Sequence, residues 1–229
     1  MKNGLTQVAR TTVQALCGCF LAVGASHAAL IDRGGGLIYD DVLNVTWLQD
    51  AQYTITSGYS STGRLTWNEA VTWVDGLEYY DPVRNVVWDD WRLPSTINDL
   101  SSRGWDITGE SSELAYMYYV NLGYAPNTSM DRTVPEPTSD AYNPFVNLAY
   151  RGYWSGTLSD WGDSAWCLHF HFGLQDLNGI NDGLRVWAVR DGDVAALAPP
   201  TSVPEPGTLA LFGTGLTLFG FARRRRQSR

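Results

Sequence analysis

The chain of 229 residues is poor in cysteine, in histidine and above all in lysine. It holds three cysteines, and Lys2 is its single lysine. Cys17 and Cys19 lie near the amino terminus, in a segment that we expect to be removed, so Cys167 would stand alone in the mature protein. One cysteine excludes an intrachain disulfide, and the folded part must therefore depend on its packed core for stability.

The part between the two terminal segments has a large excess of negative charge. The whole chain has 16 basic and 24 acidic residues, of which seven basic and one acidic residue lie in the terminal segments. Residues 29–202 therefore contain 9 basic and 23 acidic residues, a net charge of −14. This charge would repel phosphates and excludes nucleic acid as a partner. It is compatible with cations, with neutral polymers, or with solubility alone.

The amino terminus has the order of a secretion signal. Two basic residues precede the uncharged stretch 11–25, and small residues follow it. This order predicts a signal peptide over residues 1–28, cut by signal peptidase between Ala28 and Ala29. The uncharged stretch is too short to serve well as a permanent membrane span.

The carboxyl terminus joins a rigid motif, an apolar stretch and a basic cluster. The stretch 208–222 is compatible with a helix about 22 Å long, which is short against a bilayer core of roughly 30 Å. The arginines after it resist translocation and should stay cytoplasmic, so that everything before them lies outside. The motif and the cluster are Pro204, Glu205, Pro206, Arg223, Arg224, Arg225 and Arg226.

This tail, residues 203–226, resembles the PEP-CTERM sorting signal of bacteria that also make extracellular polysaccharide. The resemblance implies recognition by an exosortase, a membrane protease that would cut near Pro-Glu-Pro. The protein would then be anchored in the inner membrane during sorting and end at the periplasmic face, the cell surface or the extracellular matrix. The alternative is a short single-pass anchor. A second Pro-Glu-Pro at 135–137 has no apolar stretch behind it and predicts an extended loop.

Between these ends, residues 29–194 predict one α+β domain with short antiparallel strands, two or three helices and long loops, followed by a linker at 195–202. The apolar runs 37–39 and 45–48 flank turn-forming residues and indicate a hairpin. Thr66 and Glu69 have capping-box spacing, so a helix should begin at Trp67. The apolar positions of that helix recur with helical period: Trp67, Ala70, Val71, Val74 and Leu77.

The second half of the domain mixes helix, loop and strand patterns. A helix should run from Ser111 or Ser112 to Leu122 and end at Gly123. Residues 125–147 are rich in Pro, Asn, Thr and Asp and predict a long loop. Large apolar side chains occupy alternate positions over 166–172 and predict a strand. Turns should follow at 178–179 and 182–183, and residues 184–190 are predicted to form a closing strand. All ten tryptophans lie in the domain and should be its main packing material.

Two short motifs, at residues 90–94 and 153–155, resemble those of the Lcl C-terminal domain family. The resemblance covers roughly residues 37–194. Together with the strand around Trp166 and the closing 187–190, the motifs occur in the family's order. The resemblance implies a fold related to C-type lectins and formylglycine-generating enzymes, and a family that includes adhesins for sulfated polysaccharides. The domain's negative charge differs from what a binder of sulfated polymers needs. The motif residues are Asp90, Trp91, Arg92, Leu93, Pro94, Tyr153, Trp154 and Ser155.

The first motif also has a direct physical interpretation. Pro94 keeps Leu93 out of helical geometry, and Ser95 could then cap a short helix through Leu100. The planar guanidinium of Arg92 suits a tie to loop carbonyls or to a carboxylate. We therefore expect the motif residues to hold the fold together rather than to contact a ligand.

Metal sites have weak candidates. His169 and His171 share one face of the predicted strand and could bind a metal if Asp163 or Asp176 came close. The third histidine, His27, lies in the signal segment, so a larger histidine cluster is excluded. The ordinary alternative is a pair of half-exposed side chains.

A calcium site is the one cofactor that the sequence leaves open. Asp176, Asn178 and Asp182 resemble part of a calcium loop, but EF-hand spacing fails because Ile180 stands at the third oxygen position and Asn181 replaces the required glycine. We expect no other cofactor.

Enzymatic motifs are scarce. Formylglycine-generating enzymes use a cysteine pair that Cys167 alone cannot supply, and the sequence has no nucleophile elbow or phosphate loop. The favoured hypothesis is a non-catalytic surface module that binds carbohydrate or matrix polymer, with aromatic side chains against sugar faces. The alternatives are a glycan-processing enzyme that uses paired carboxylates and a structural matrix component with no small ligand.

Overall fold

The computed structural model describes residues 30–127 and 143–197. The strands are β1 Leu30–Asp32, β2 Leu37–Asp40, β3 Val45–Leu48, β4 Tyr79–Asp81, β5 Val86–Trp88, β6 Gly152–Leu158, β7 Ser164–His169, β8 Leu174–Gly179 and β9 Val189–Asp191. The α-helices are α1 Tyr53–Thr56, α2 Trp67–Asp75 and α3 Glu113–Tyr116, with a π-helical turn at Met117–Asn121 and 3-10 turns at Leu100–Ser102 and Val194–Leu197. These elements confirm the predicted α+β class.

A four-stranded antiparallel sheet has the order β1-β2-β3-β9. Its centre is the predicted hairpin, in which Leu37 pairs with Leu48 and Asp40 with Val45. Asn44 ends the connecting turn at φ 53°, a conformation that asparagine tolerates better than most residues. The hairpin prediction is confirmed, and β9, the last strand of the described residues, adds to it at β3.

A second antiparallel sheet has the order β6-β7-β8. The strand expected over 166–172 is present as β7 but ends at His169, because the chain turns back at 170–173 to form β8. The expected turn at 178–179 is wrong: both residues belong to β8, and the turn follows at 180–182. Six register pairs with β7 explain the difference, since strand pairing outweighs the turn preference of Asn-Gly.

The expected closing strand over 184–190 is divided in two. Leu184 forms a bridge to Leu65 and Arg185 a parallel bridge to Tyr153, whereas the regular strand comprises only Val189–Asp191. The prediction fails because this segment crosses from the second sheet to the first, and a single straight strand cannot pair with both.

Helix α2 begins where the capping box placed it. The Thr66 side chain accepts from the Glu69 N–H, and the Glu69 carboxylate accepts from the Thr66 N–H at 2.8 Å. These contacts satisfy free amides at the helix start. The buried face contains Ala70, Trp73 and Val74.

The expected second helix is also present. The Ser112 side chain caps it by accepting from the Ala115 N–H, and Gly123 ends it at φ 63°. The interior differs from a regular α-helix, because its second half, Met117–Asn121, is π-helical.

The short helix expected from Ser95 to Leu100 does not form. Instead Ser95 joins the start of α3: its N–H donates to Glu113 Oε2 at 2.7 Å, and its carbonyl accepts from the Glu113 N–H at 3.1 Å. The 3-10 turn begins only at Leu100, and Asp99 caps it. Bonds to a distant element thus replace the local cap that the serine suggested.

Tryptophan supplies much of the core, as expected. Seven of the ten are buried, Trp67 is half-buried, and Trp105 and Trp161 are 49% and 65% exposed. Buried apolar side chains form two clusters, with Trp154 in one and Trp187 in the other. The buried seven are Trp47, Trp73, Trp88, Trp91, Trp154, Trp166 and Trp187.

Several sequence predictions concern segments outside the described residues. These are the signal peptide and its cut at Ala28 and Ala29, most of the long loop with its Pro-Glu-Pro copy, the tail 203–226 and its apolar helix 208–222. Within residues 30–127 and 143–197, none of the helices combines the length and the apolar character that crossing a membrane requires.

Candidate functional site

The first sequence motif ties three parts of the fold together. Arg92 donates through Nη1 and Nη2 to the two carboxylate oxygens of Glu113, both at 2.8 Å. Its Nη2 also reaches Asp191 Oδ1 at 2.7 Å, and its Nη1 the Leu93 carbonyl at 3.1 Å. The guanidinium therefore links α3, β9 and its own loop, and the expected tie to a carboxylate is present.

Asp90 and Trp91, which precede it, also make contacts within the fold. Asp90 accepts a bidentate pair of hydrogen bonds from Arg190, both at 2.7 Å, and these lower the pKa of the Asp90 carboxyl. The Arg190 guanidinium lies 4.1 Å from the ring centroid of Trp88. Trp91 is buried and donates through Nε1 to the Trp88 carbonyl at 2.9 Å.

The second motif is wholly buried in β6. Tyr153 Oη accepts from the Ala149 N–H at 2.8 Å, and burial raises the pKa of this phenol. Trp154 donates through Nε1 to the Leu65 carbonyl at 2.8 Å, and the Ser155 carbonyl accepts from Trp67 Nε1 at 2.9 Å. These bonds satisfy the ring nitrogens of Trp154 and Trp67.

The arginines of the domain divide into two groups. Eight arginines lie in the described part of the chain, and five of them form ion pairs with carboxylates. The other three, Arg64, Arg151 and Arg185, have no carboxylate within 4 Å among the described residues. All three line one cleft of about 270 Å³. The paired five are Arg33, Arg84, Arg92, Arg103 and Arg190.

Backbone pairing holds the three cleft arginines together. Leu65, which follows Arg64, exchanges two hydrogen bonds with Leu184, at 2.9 and 3.1 Å. The Arg185 N–H donates to the Gly152 carbonyl at 2.9 Å, and Arg151 immediately precedes that glycine. Three chain segments therefore present their arginines to the same space from a fixed backbone.

Among the described residues, the acceptors of these guanidinium groups are all backbone carbonyl groups. Arg64 Nε donates to the Gly183 carbonyl at 2.7 Å, Arg151 Nη1 to the Tyr150 carbonyl at 3.0 Å, and Arg185 Nη1 to the Thr62 carbonyl. Arg185 Nε is buried and has no acceptor among the described residues. Burial, together with the positive charges of Arg64 and Arg151, lowers the pKa of Arg185.

Two histidines form another wall of the cleft. The ring centroids of His169 and His171 lie 5.7 Å apart, and Gly152 packs against them. A Cβ on Gly152 would lie 3.0 Å from His169 Nδ1 and from Leu184 Cδ2, so a larger residue at this position would press on both side chains. Burial lowers the pKa of His169, which favours its neutral form.

Cys167 lies behind this wall in a small polar cluster. Its Sγ is 3.2 Å from Asn178 Oδ1 and 3.6 Å from His169 Nε2, and the latter two atoms are 3.2 Å apart. Burial raises the pKa of the thiol. A thiol that stays protonated at neutral pH is a poor nucleophile, although its neighbours are a histidine and an amide.

The calcium candidates are placed close together but are engaged by other side chains. Asp176 accepts from Arg103 Nε at 2.8 Å, and Asn178 Nδ2 donates to Asp182 Oδ2 at 3.3 Å. The calcium site stays a prediction. For the histidines the result is clearer: no group of three His, Cys, Asp or Glu in the described segments could hold a metal ion, so the histidine site with Asp163 or Asp176 finds no support.

A second cleft, of about 490 Å³, lies beside the first motif. Its one basic residue is Arg92, whose guanidinium already binds Glu113 and Asp191. This cleft therefore lacks the unpaired charge that distinguishes the first. Its lining is Val71, Val74, Asp75, Arg92, Leu93, Ser95, Gly156 and Thr157.

These features define a small α+β module with a tryptophan-rich core and one rigid cationic cleft in an acidic body. The model of the Lcl C-terminal domain matches residues 36–190, more than half of the chain, and the protein belongs to this family. The PEP-CTERM protein-sorting motif matches residues 202–226 and marks an exported protein that an exosortase processes during export. Comparison with curated proteins and with solved structures found no match.

Sequence reasoning missed the cleft arginines. Arg64, Arg151 and Arg185 are far apart along the chain and belong to no recognisable motif. The net charge gave no indication of a cationic site, because the domain is acidic as a whole. These three arginines can be recognised only when the ion pairs of the fold are known, because they are the described arginines that have no carboxylate partner.

Proposed function

We propose that this protein is a surface or matrix protein whose Lcl C-terminal domain is a non-catalytic module for binding an extracellular carbohydrate polymer. The observation that carries the proposal is the cleft of three arginines that have no carboxylate partner in the part of the chain that the structure describes. Guanidinium groups that line a concave site and have no carboxylate partner keep donors available for an anionic ligand. The sorting signal supports a location at which extracellular polymers are available.

The aromatic side chains support a narrower role than the sequence suggested. Most tryptophans serve the core, and only Trp105 and Trp161 among them are largely exposed. Recognition would therefore depend on charge and hydrogen bonding in the cleft more than on a row of rings under a sugar chain. The relation to C-type lectins stays a prediction of the family resemblance.

The described chemistry favours binding over catalysis. The thiol of Cys167 is buried and protonated, which argues against a cysteine nucleophile. The hydrogen bonds from Arg190 lower the pKa of the Asp90 carboxyl, which disfavours this group as a general acid. A glycosidase would need one carboxyl group that is protonated near neutral pH.

A pull-down assay tests the proposal. The full-length chain, purified in detergent, is mixed with insoluble extracellular polysaccharide from its host, and bound protein is measured with and without a calcium chelator. We expect retention that is reduced in the Arg64→Gln/Arg151→Gln variant and unchanged in Arg33→Gln, which removes an arginine outside the cleft. Absence of retention in every condition would contradict the proposal, and release of new reducing ends would establish the enzyme alternative instead.

A further inference from the structure

The charge of the cleft is opposite to that of the domain around it. Residues 29–202 carry a net charge of −14, yet three arginines converge where none of the described carboxylates lies within 4 Å. The nearest acidic residue in sequence is Asp182, beside Gly183, and it accepts from Asn178 rather than from an arginine. The cleft thus attracts an anion locally while the rest of the surface repels one.

The donors that remain on the arginines suit a flat anion with two oxygens. Each guanidinium is planar and has donors in a fixed fork, which matches a carboxylate in a bidentate pair. Arg64 uses Nε, and Arg151 and Arg185 each use Nη1, for a carbonyl group. The other donors have no partner among the described residues, and Arg64 and Arg151 are exposed, so they can turn toward a ligand.

The size of the cleft limits the ligand to about one sugar unit. Its volume of about 270 Å³ lies just below the range of drug-sized ligand pockets, roughly 300–1,000 Å³. A polymer with a negative charge on every unit would have to place its other charges against the acidic surface. This repulsion selects against densely charged polymers and favours an isolated anionic unit in a largely neutral chain.

From these observations we infer that the cleft of Arg64, Arg151 and Arg185 is a site for the carboxylate of a single uronic acid residue. The inference rests on the proposed carbohydrate-binding function and specifies the chemistry of its ligand. The guanidinium groups pair with the carboxylate, while His169 and His171 form the wall beside the sugar ring.

Calorimetry with small probes tests the inference. The full-length chain is titrated with the methyl glycoside of glucuronic acid and with methyl glucoside, which has the same ring but no carboxylate. We expect binding of the glucuronide only. Replacing Arg64 and Arg151 by Gln should weaken it by about tenfold or more, since two charged hydrogen-bonding partners are lost. Arg33→Gln removes one charge outside the cleft and should leave the affinity within about twofold.

Each other outcome overturns the inference. Equal binding of the neutral glucoside would show that the carboxylate is not recognised, and glucuronide binding that survives the double substitution would place the site elsewhere. Tighter binding of inorganic sulfate than of the glucuronide would exclude selection for a planar carboxylate. Failure of the glucuronide to bind, with retention on the host polysaccharide intact and still dependent on Arg64 and Arg151, would refute the uronic acid ligand while leaving the proposed function in place. Thermal unfolding of each variant verifies that it is folded.

Discussion

Replacement of Arg92 by Met tests how strongly the first family motif stabilises the fold. The side chains of Arg92, Glu113 and Asp191 are 33%, 13% and 79% exposed. Removing one partner of a fully buried ion pair costs about 3–5 kcal/mol, and exposed pairs contribute about 0–1 kcal/mol. Arg92 and Glu113 lie between these limits, and Glu113 keeps its hydrogen bond from the Ser95 N–H. We therefore expect a loss of about 2 kcal/mol in the free energy of unfolding.

The assay is urea and thermal unfolding of the full-length chain. For a domain of this size a loss of about 2 kcal/mol lowers the Tm by roughly 4–8 °C. Asp191→Asn is the matched control, because the same guanidinium loses only its exposed partner, and it should cost less than about 0.5 kcal/mol. Adding Glu113→Gln to Arg92→Met removes the stranded charge and should restore part of the stability.

Two results would refute this reasoning. One is an Arg92→Met variant as stable as the wild type, which would mean that solvent compensates the Glu113 charge fully. The other is an equal effect of Asp191→Asn, which would mean that burial does not decide the strength of these pairs. Binding at the arginine cleft should be unaffected by either substitution, because Arg92 lines the other cleft.

Three further predictions concern buried groups. Trp187→Phe should lower the free energy of unfolding, measured by urea titration, by about 2–4 kcal/mol. The substitution removes ring volume and leaves the Leu48 carbonyl without the hydrogen bond that it accepts from Trp187 Nε1 at 2.7 Å. A cost below about 1 kcal/mol would contradict this prediction. Burial lowers the pKa of His169 in the folded protein, which favours the neutral imidazole. The stability that the neutral form contributes should therefore be complete above the unfolded pKa of about 6.5 and should be lost as the pH falls from there through the folded pKa. If the urea midpoint of His169→Asn changed with pH in the same way as that of the wild type, this prediction would be ruled out. The Cys167 thiol should react with a thiol reagent only as fast as the protein opens, since it is buried and protonated; rapid labelling of the native protein, timed by mass spectrometry, would show that the thiolate is accessible.

Some elements were predictable because their determinants lie within a few residues. The capping box of Thr66 and Glu69 acts over three positions, and the Gly123 stop acts at one. The hairpin of β2 and β3 needs only two apolar runs and a turn. In each case the atoms that satisfy one another are close along the chain, so a local pattern is sufficient.

Other elements depended on partners that no local pattern reveals. Ser95 had the features of a helix cap, but Glu113 bonds to it from 18 residues away. Asn178 and Gly179 had the features of a turn, but they extend β8, which pairs with β7 along its whole length. Local preference was outweighed in both cases because several hydrogen bonds to a distant segment exceed the gain from one cap or turn.

The candidate site shows the same division. By itself the sequence determined the α+β class, the aromatic core, the family and the sorting tail, because composition, short-range periodicity and contiguous motifs carry that information. Only the tertiary structure decided which of the arginines lack carboxylate partners and that Arg64, Arg151 and Arg185 meet in one cleft. Pairing of charges is a property of distances in space, and these three residues are brought together by backbone bonds between segments that are separated by up to about 120 positions along the chain.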